Sequence, residues 1–480
     1  MAETLNTKVR TATKWSTVGE VAAKLTTPIS SILLARLLTP EAFGVVTTLT
    51  MIISFAEIFT DAGFQKYLIQ HEFKDEQDRD ESTNVAFWSN FVMSLVIWGI
   101  ISFFSAQLAA LVGNPGLGHV LIIACVSIPL AAFSSIQIAL YKRDLEFKVL
   151  ARVRIISTII PLFVTVPLAF FLRSYWALVI GTITVNIVNA FLLTFFSKWK
   201  PRRFYSFNKL KEMFSFTVWS MIEAVTIWLT GYVDVFIIAT KLSQYYLGLY
   251  KTSSTLVGQI MGLITAILTP ILFSALSRLQ DNEKEFRRMF FTFQKIVALL
   301  VMPLGMGIFI FRDVITDFIL GSQWVEASGF IGLWGLTSAI TIVLSHYTSE
   351  VYRAKGRPLL SVLAQFLHLI VLCPTVLIAV KYGFEVLYVA RSLVRLEIIV
   401  VNLCIMGLII KMPVGKMFSN ILPASLGSAA MLLVLLLPPS NSIGVAILYV
   451  GIASIIYLVF VMLFQEERNL LLRLLKNHNY

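Results

Sequence analysis

Six charged residues sit in stretches otherwise apolar enough for a bilayer: Lys24, Lys251, Arg391, Arg395, Glu223 and Asp234. A charge at mid-depth costs at least about 2.5 kcal/mol on insertion scales, so such residues usually line a route. Arg391 and Arg395 are one helical turn apart and share a face. Two guanidinium forks so placed can grip a diphosphate bidentately, which lysine does less well. The competing reading has Arg391 snorkelling outward and Arg395 pairing with Glu397 or with an acid on another helix. Lys24 follows Glu20 by four residues, the order that pairs best on a helix, so it is an anion-receiving cation, is neutralised by Glu20, or snorkels to the interface. Lys251 opens the polar run Lys251-Thr-Ser-Ser-Thr, a start a lipid-facing helix would not choose; it lines a cavity or anchors at the outer surface.

The acids suggest a second chemistry. Glu223 and Asp234 are eleven residues apart, which returns them to one helical stripe about 16 Å apart. No basic residue shares that stripe, so each is a candidate carrier of H⁺ or Na⁺ for coupling, with Asp234 the deeper. The alternative for Glu223 is hydrogen bonding to polar neighbours. Glu57 and Asp61 share a face and read as structural, Asp61 capping the turn at Gly63. His346 and Glu350, one turn apart, admit a proton relay or a packed contact. His368 is a weaker candidate of the same kind. Asn186, Asn189 and Ser220 are polar groups that could accommodate sugars.

Only a membrane can house the elements carrying these residues. The chain has 480 residues, 57% of them hydrophobic and 14% charged, with a mean hydropathy of +0.81, which excludes an ordinary soluble globule. About fourteen spans are legible, from 15–37 to 443–463, with span seven at 214–240, span eight at 247–275 and span twelve at 385–410. No cleavable signal peptide is visible before the first. Odd-numbered loops carry few basic residues (Arg36, Arg173, Lys241, Arg312 and Lys381), while most of the 39 Lys and Arg residues fall in even-numbered loops and the termini. Both termini should therefore be cytoplasmic. The net charge of +12 fits a membrane surface rather than nucleic acid. Cys125, Cys373 and Cys404 lie inside spans without metal or disulfide spacing.

The chain repeats itself. Lys14–Thr48 aligns without gaps on Val218–Thr252, matching Trp15, Ser16, Ala35, Leu38, Gly44 and Thr48 to Trp219, Ser220, Ala239, Leu242, Gly248 and Thr252, among others. Six spans separate the copies, so both insert in the same sense and form parallel repeats. The expected fold is an all-α polytopic membrane protein: two parallel six-helix bundles facing a central cavity, plus two C-terminal helices. Its domains are residues 1–197, a basic and aromatic cytoplasmic linker at 198–213, a second bundle at 214–411, and two extra helices with a tail at 412–480.

Trp15-Ser with Glu20, then Leu34-Ala-Arg-Leu-Leu-Thr-Pro-Glu-Ala-Phe-Gly44, Asp61-Ala-Gly-Phe and Leu68-Ile-Gln70, resemble the Wzx-type polysaccharide transporters of the multidrug/oligosaccharidyl-lipid/polysaccharide exporter superfamily. The likeness is nearest to the branch exporting colanic and teichuronic acid type polymers. It is specific over about the first 70 residues and fits the rest in span count and in Tyr175-Trp-Ala-Leu. The resemblance implies a flippase of the bacterial inner membrane that moves an undecaprenyl-diphosphate-linked oligosaccharide outward, for lipopolysaccharide, capsule or exopolysaccharide. It supports Lys24 as a cation that attracts the diphosphate, to which the reading of the spans adds Lys251, Arg391 and Arg395, and it implies partners that include membrane lipids, a polymerase and other export proteins.

No P-loop, HExxH, GxSxG or dinucleotide fingerprint is present, so neither an enzyme, a bound cofactor nor a metal is expected beyond H⁺ or Na⁺ coupling. Two rivals remain at this level. A drug/cation antiporter of the same superfamily would favour an acidic cavity; a membrane enzyme acting on lipid-linked sugars would need large outer loops, and Arg312–Glu326, the longest, is short.

Overall fold

Capping residues set where the helices begin in the computed structural model, which describes residues 5–61, 63–438 and 443–469. Asp75 accepts a hydrogen bond from the Asp78 N–H at 2.7 Å, and Asn282 does the same for Glu285 at 3.2 Å. Each opens a helix whose first turn is acidic, in keeping with the helix dipole. The described residues contain helices and no strands. With no water in the hydrocarbon to satisfy backbone groups, a chain this apolar must close its hydrogen bonds within each helix.

By contacts the chain falls into two compact units, Met1–Lys251 and Thr252–Tyr480. The principal helices of the first are α1 (Leu5–Leu37), α2 (Pro40–Asp61), α3 (Phe64–Gln70), α4 (Glu76–Phe103), α5 (Ser127–Arg143), α6 (Phe147–Ile160), α7 (Trp176–Phe196) and α8 (Phe207–Lys241). Helix α9 (Gln244–Arg278) crosses from the first unit into the second. The second unit continues with α10 (Glu283–Ile310), α11 (Ser328–Thr341), α12 (Leu359–Ala379), α13 (Phe384–Leu408), α14 (Val414–Ala430) and α15 (Ile443–Met462).

Among the described residues, 13 helices are long and apolar enough to cross a membrane. Helix α13, span twelve of the sequence reading, stands apart from them because Glu385, Arg391, Arg395 and Glu397 all fall within its 25 residues. The contact boundary also lies later than the sequence boundary at 198–213. Helix α8 packs on α2, where the Trp228 indole N–H donates to Ser54 at 3.0 Å, and Met213 joins the core of Phe64, Leu68, Phe87 and Ile136. Packing thus groups the seventh span with the first unit.

The linker is strapped to that unit. The Arg202 N–H donates to Asn84 Oδ1 at 2.6 Å, and Trp88 Nε1 donates to the Arg202 carbonyl at 2.7 Å. Arg202 also pairs with Asp80 at 3.2 Å, and Lys209 pairs with Asp78. The Asp78 carboxylate holds the Lys209 ammonium above its ordinary range. Asn84 is buried, so removing its side chain orphans the Arg202 N–H. In Asn84→Ala we expect trypsin to cut after Arg202 or Arg203 at least about threefold faster than in wild type, because local opening governs cleavage. An unchanged rate would show that the other contacts hold the strap.

The repeat reappears as a reciprocal contact within the first unit. The turns α1–α2 and α8–α9 are built alike, with Leu38 N–H donating to the Leu34 carbonyl at 2.9 Å and Leu242 N–H to the Ile238 carbonyl at 2.8 Å. They then meet through matching glycines. A Cβ on Gly44 would lie 1.9 Å from the Gln244 carbonyl oxygen, and one on Gly248 would lie 1.8 Å from that of Pro40. Both contacts bring a glycine Cα–H onto a carbonyl, a geometry open only to a residue without a side chain.

Candidate functional site

Two charged clusters emerge, one in each unit. In the second unit, Arg391 and Arg395 project from α13 onto one side chain, Trp334 of α11. The Arg395 guanidinium carbon is 3.9 Å from the indole centroid and that of Arg391 is 5.0 Å. Arg395 Nη1 also donates to Ser338 Oγ at 2.6 Å, one turn beyond Trp334. Arg391 is 9% exposed, so it does not snorkel to the surface. A desolvated cation over an indole is stabilised by about 2 kcal/mol or more, which offsets part of the burial cost. Two guanidinium groups held on one ring still repel each other, and a multiply charged anion relieves that repulsion.

Helix α11 can hold the indole there because its glycines admit α10 closely: a Cβ on Gly335 would lie 2.5 Å from Ile308 Cγ2. Glu397 does not take up Arg395. It faces His368 of α12, with Nδ1 to Oε2 at 2.8 Å. Trp334 and Ser338 escaped the sequence reading; a tryptophan inside the small-residue run Gly332-Leu-Trp-Gly335 was the available signal.

In the first unit the structure joins two residues that the sequence separated by role. Asp234 is 4% exposed, accepts the Tyr250 hydroxyl at 2.5 Å and the Val235 N–H at 2.8 Å, and acts electrostatically on Lys251. The base that acts on Asp234, Lys251, comes from the next helix, beyond the reach of an argument from one helical stripe. Lys251 lies 5.1 Å from the Tyr232 centroid, Tyr232 stacks on Trp228 at 5.3 Å, and Trp228 packs on Phe55 at 4.7 Å. Cation and acid therefore share an aromatic-walled cluster at the α8–α9 hairpin. The side chain of Glu223, the other coupling candidate, lies outside the described residues, as do those of Asp61 and Ser220.

Lys24 is half-buried on α1, and Glu20 does not neutralise it. Glu20 pairs with Arg154 of α6 at 2.8 Å, and among the described residues Lys24 makes no ion pair. Trp15 joins the same seam under Lys148, 5.6 Å from the ring centroid. Trp15 and Glu20 thus hold α1 to α6.

Of the two readings of His346 and Glu350, the relay lacks its pair, because Glu350 turns to Arg353. Residues 342–346 take a π-helical turn, which breaks the i,i+4 register. Asn189 accepts a hydrogen bond from Ser157 inside the first unit. A polar node the sequence did not reveal joins Asn402 to Thr348 (3.0 Å), Tyr352 (2.9 Å) and Ser345 (2.8 Å).

Comparison with known proteins places the chain in a family. The chain is 21% identical over 376 residues to an uncharacterised membrane protein in the cps region of Klebsiella pneumoniae, covering 77% of this chain and 76% of that protein. It is 23% identical over 343 residues to the succinoglycan biosynthesis transport protein ExoT of Rhizobium meliloti (strain 1021), covering 71% and 68%. It is 21% identical over 352 residues to the teichuronic acid biosynthesis protein TuaB of Bacillus subtilis (strain 168), covering 73% and 72%. In fold it is similar to the lipid II flippase MurJ in an inward closed conformation, at a TM-score of 0.76 and 15% identity over 95% of this chain and 99% of that one. An inward-facing MATE multidrug transporter of the MOP superfamily follows at a TM-score of 0.57 and 11% identity, over 83% of this chain and 96% of that one. The model of one family matches residues 33–329, and the chain, a multi-pass membrane protein, belongs to it: the polysaccharide biosynthesis protein family.

Proposed function

We propose that this protein is an ATP-independent flippase that carries undecaprenyl-diphosphate-linked oligosaccharide units across the bacterial inner membrane by alternating access. The units would serve lipopolysaccharide, capsule or exopolysaccharide synthesis. The observation that carries the reading is the seating of Arg391 and Arg395 on Trp334, a residue of one of the helices apolar enough to cross a membrane. Two preorganised guanidinium forks suit a diphosphate, whose lipid tail can stay in the bilayer while its sugars need a polar path. Relatives named for succinoglycan transport, teichuronic acid biosynthesis and lipopolysaccharide biosynthesis support the same substrate class.

The basic residues in even-numbered loops and the termini favour cytoplasmic ends. Lys24 and Lys251 are the cations of the first unit assigned to the diphosphate. Asp234, bonded to Tyr250 and neighbouring Lys251, is the candidate for H⁺ or Na⁺ coupling, and no residue is assigned a catalytic role. A drug/cation antiporter is disfavoured by the sign of the buried charge at Arg391 and Arg395.

The test is transport itself. Proteoliposomes holding the purified protein and a fluorescent prenyl-diphosphate disaccharide should move the probe between leaflets, read by quenching from one side. Cells lacking the gene should accumulate the lipid-linked unit in the cytoplasmic leaflet. Failure to move the probe together with normal export from the deletion strain would overturn the reading.

A further inference from the structure

The pair beside the arginines has no task in the proposal above. His368 of α12 is 7% exposed and lies 2.8 Å from Glu397 of α13, two residues beyond Arg395. The charges acting on the imidazole are those of Glu397, Arg391 and Arg395, all on α13. Helix α11 turns Trp334 and Ser338 toward the arginines and contains no titratable residue, and His346, in the turn 342–346 that continues it and packs on α13, is acted on by Arg353. Glu350 and Arg353, on the short helix Thr348–Ala354 that also packs on α12, are occupied with each other.

We infer that His368 and Glu397 form a proton-binding site linked to the anion site at Arg391 and Arg395, so that binding of a diphosphate is accompanied by proton uptake at the pair. With the site empty, two arginine charges face one carboxylate. A proton added to the His368–Glu397 pair would then leave three positive groups against that one acid in a poorly solvated place, which Coulomb repulsion opposes. A bound diphosphate brings at least two negative charges, and the same proton then completes the balance. Linkage makes the effect reciprocal: whatever proton affinity the anion adds to the pair, protonation returns as anion affinity. The inference rests on the reading of Arg391 and Arg395 as the headgroup anchor. It places proton exchange in the second unit, apart from Asp234.

The test is calorimetric titration of the full-length protein in lipid nanodiscs with farnesyl diphosphate, from pH 6 to 8, in two buffers of different ionisation enthalpy. The probe itself titrates in this range, so wild type is compared at each pH with His368→Gln and with Glu397→Gln, which cancels that contribution. Wild type should take up as much as one proton more per molecule bound. Its affinity relative to either variant should rise as the pH falls, by up to about tenfold per unit. If one variant misfolds, the other carries the comparison. With five histidines in the chain, ¹⁵N-imidazole spectra of the wild type also read His368 directly, and its signal should move when the probe binds. Equal proton uptake in wild type and variants, with binding still dependent on Arg391 and Arg395, would overturn the proton link and leave the anion site standing. Binding unaffected by Arg391→Gln/Arg395→Gln would overturn both.

Discussion

Replacing Arg391 and Arg395 together by glutamine should stop polysaccharide export while leaving the protein at its normal level in the membrane. The two guanidinium groups share Trp334, at 5.0 and 3.9 Å, and Arg395 is further aimed by Ser338. Glutamine keeps polar contact but loses charge and fork. A hydrogen bond to a charged group contributes about 1.5–3 kcal/mol, so each single change should weaken headgroup binding by about ten- to a hundredfold and the pair by more. Fold and insertion should not suffer, because removing charge from mid-membrane lowers the insertion cost. Arg395→Lys is the sharper variant, since it preserves charge and discards the planar fork that stacks on the indole; it should fall well below wild type. Export and membrane level, measured together in a deletion strain carrying each variant, decide the matter. Wild-type export from the double variant would remove these residues from the site.

A valine at Gly44 or Gly248 should be nearly as damaging, through conformation rather than binding. Each glycine presents its Cα to a carbonyl of the other turn, and a Cβ there would come within 1.9 or 1.8 Å of oxygen. The turns must separate to admit it. Overpacking of this kind costs about 1–3 kcal/mol, which shifts a two-state equilibrium by about 5–150-fold. In the proposed topology these turns lie on the outer side, so the variants favour states open to the outside and slow the return. Ala42→Cys, placed beside the contact in a chain with Cys125, Cys373 and Cys404 replaced, should react faster with a membrane-impermeant maleimide when Gly44 or Gly248 is valine. The double valine variant should add little to either single, because one contact is lost in all three. Unchanged labelling would mean that the turns do not separate during the cycle.

What the chain discloses without a structure follows from its being a membrane protein. Span lengths are set by bilayer thickness, a local property that a window of residues records. The same holds for the shared face of Arg391 and Arg395, since helical spacing alone puts them together. The ungapped repeat even carried its own tertiary consequence, as Gly44 and Gly248 match in sequence and then touch each other's turns.

Partners across helices were another matter. That Lys251 acts on Asp234, that Glu20 turns to Arg154 rather than Lys24, and that Glu397 takes His368 rather than Arg395 all depend on which neighbouring helix lies alongside. Periodicity fixes the face a residue occupies but not what packs against it, and in lipid that choice rests on close fits such as Gly335 against Ile308. The sequence by itself therefore determined the class, the number of spans to within one and the face that Arg391 and Arg395 share. Only the tertiary structure decided which charges meet, because that depends on packing between segments distant in the chain.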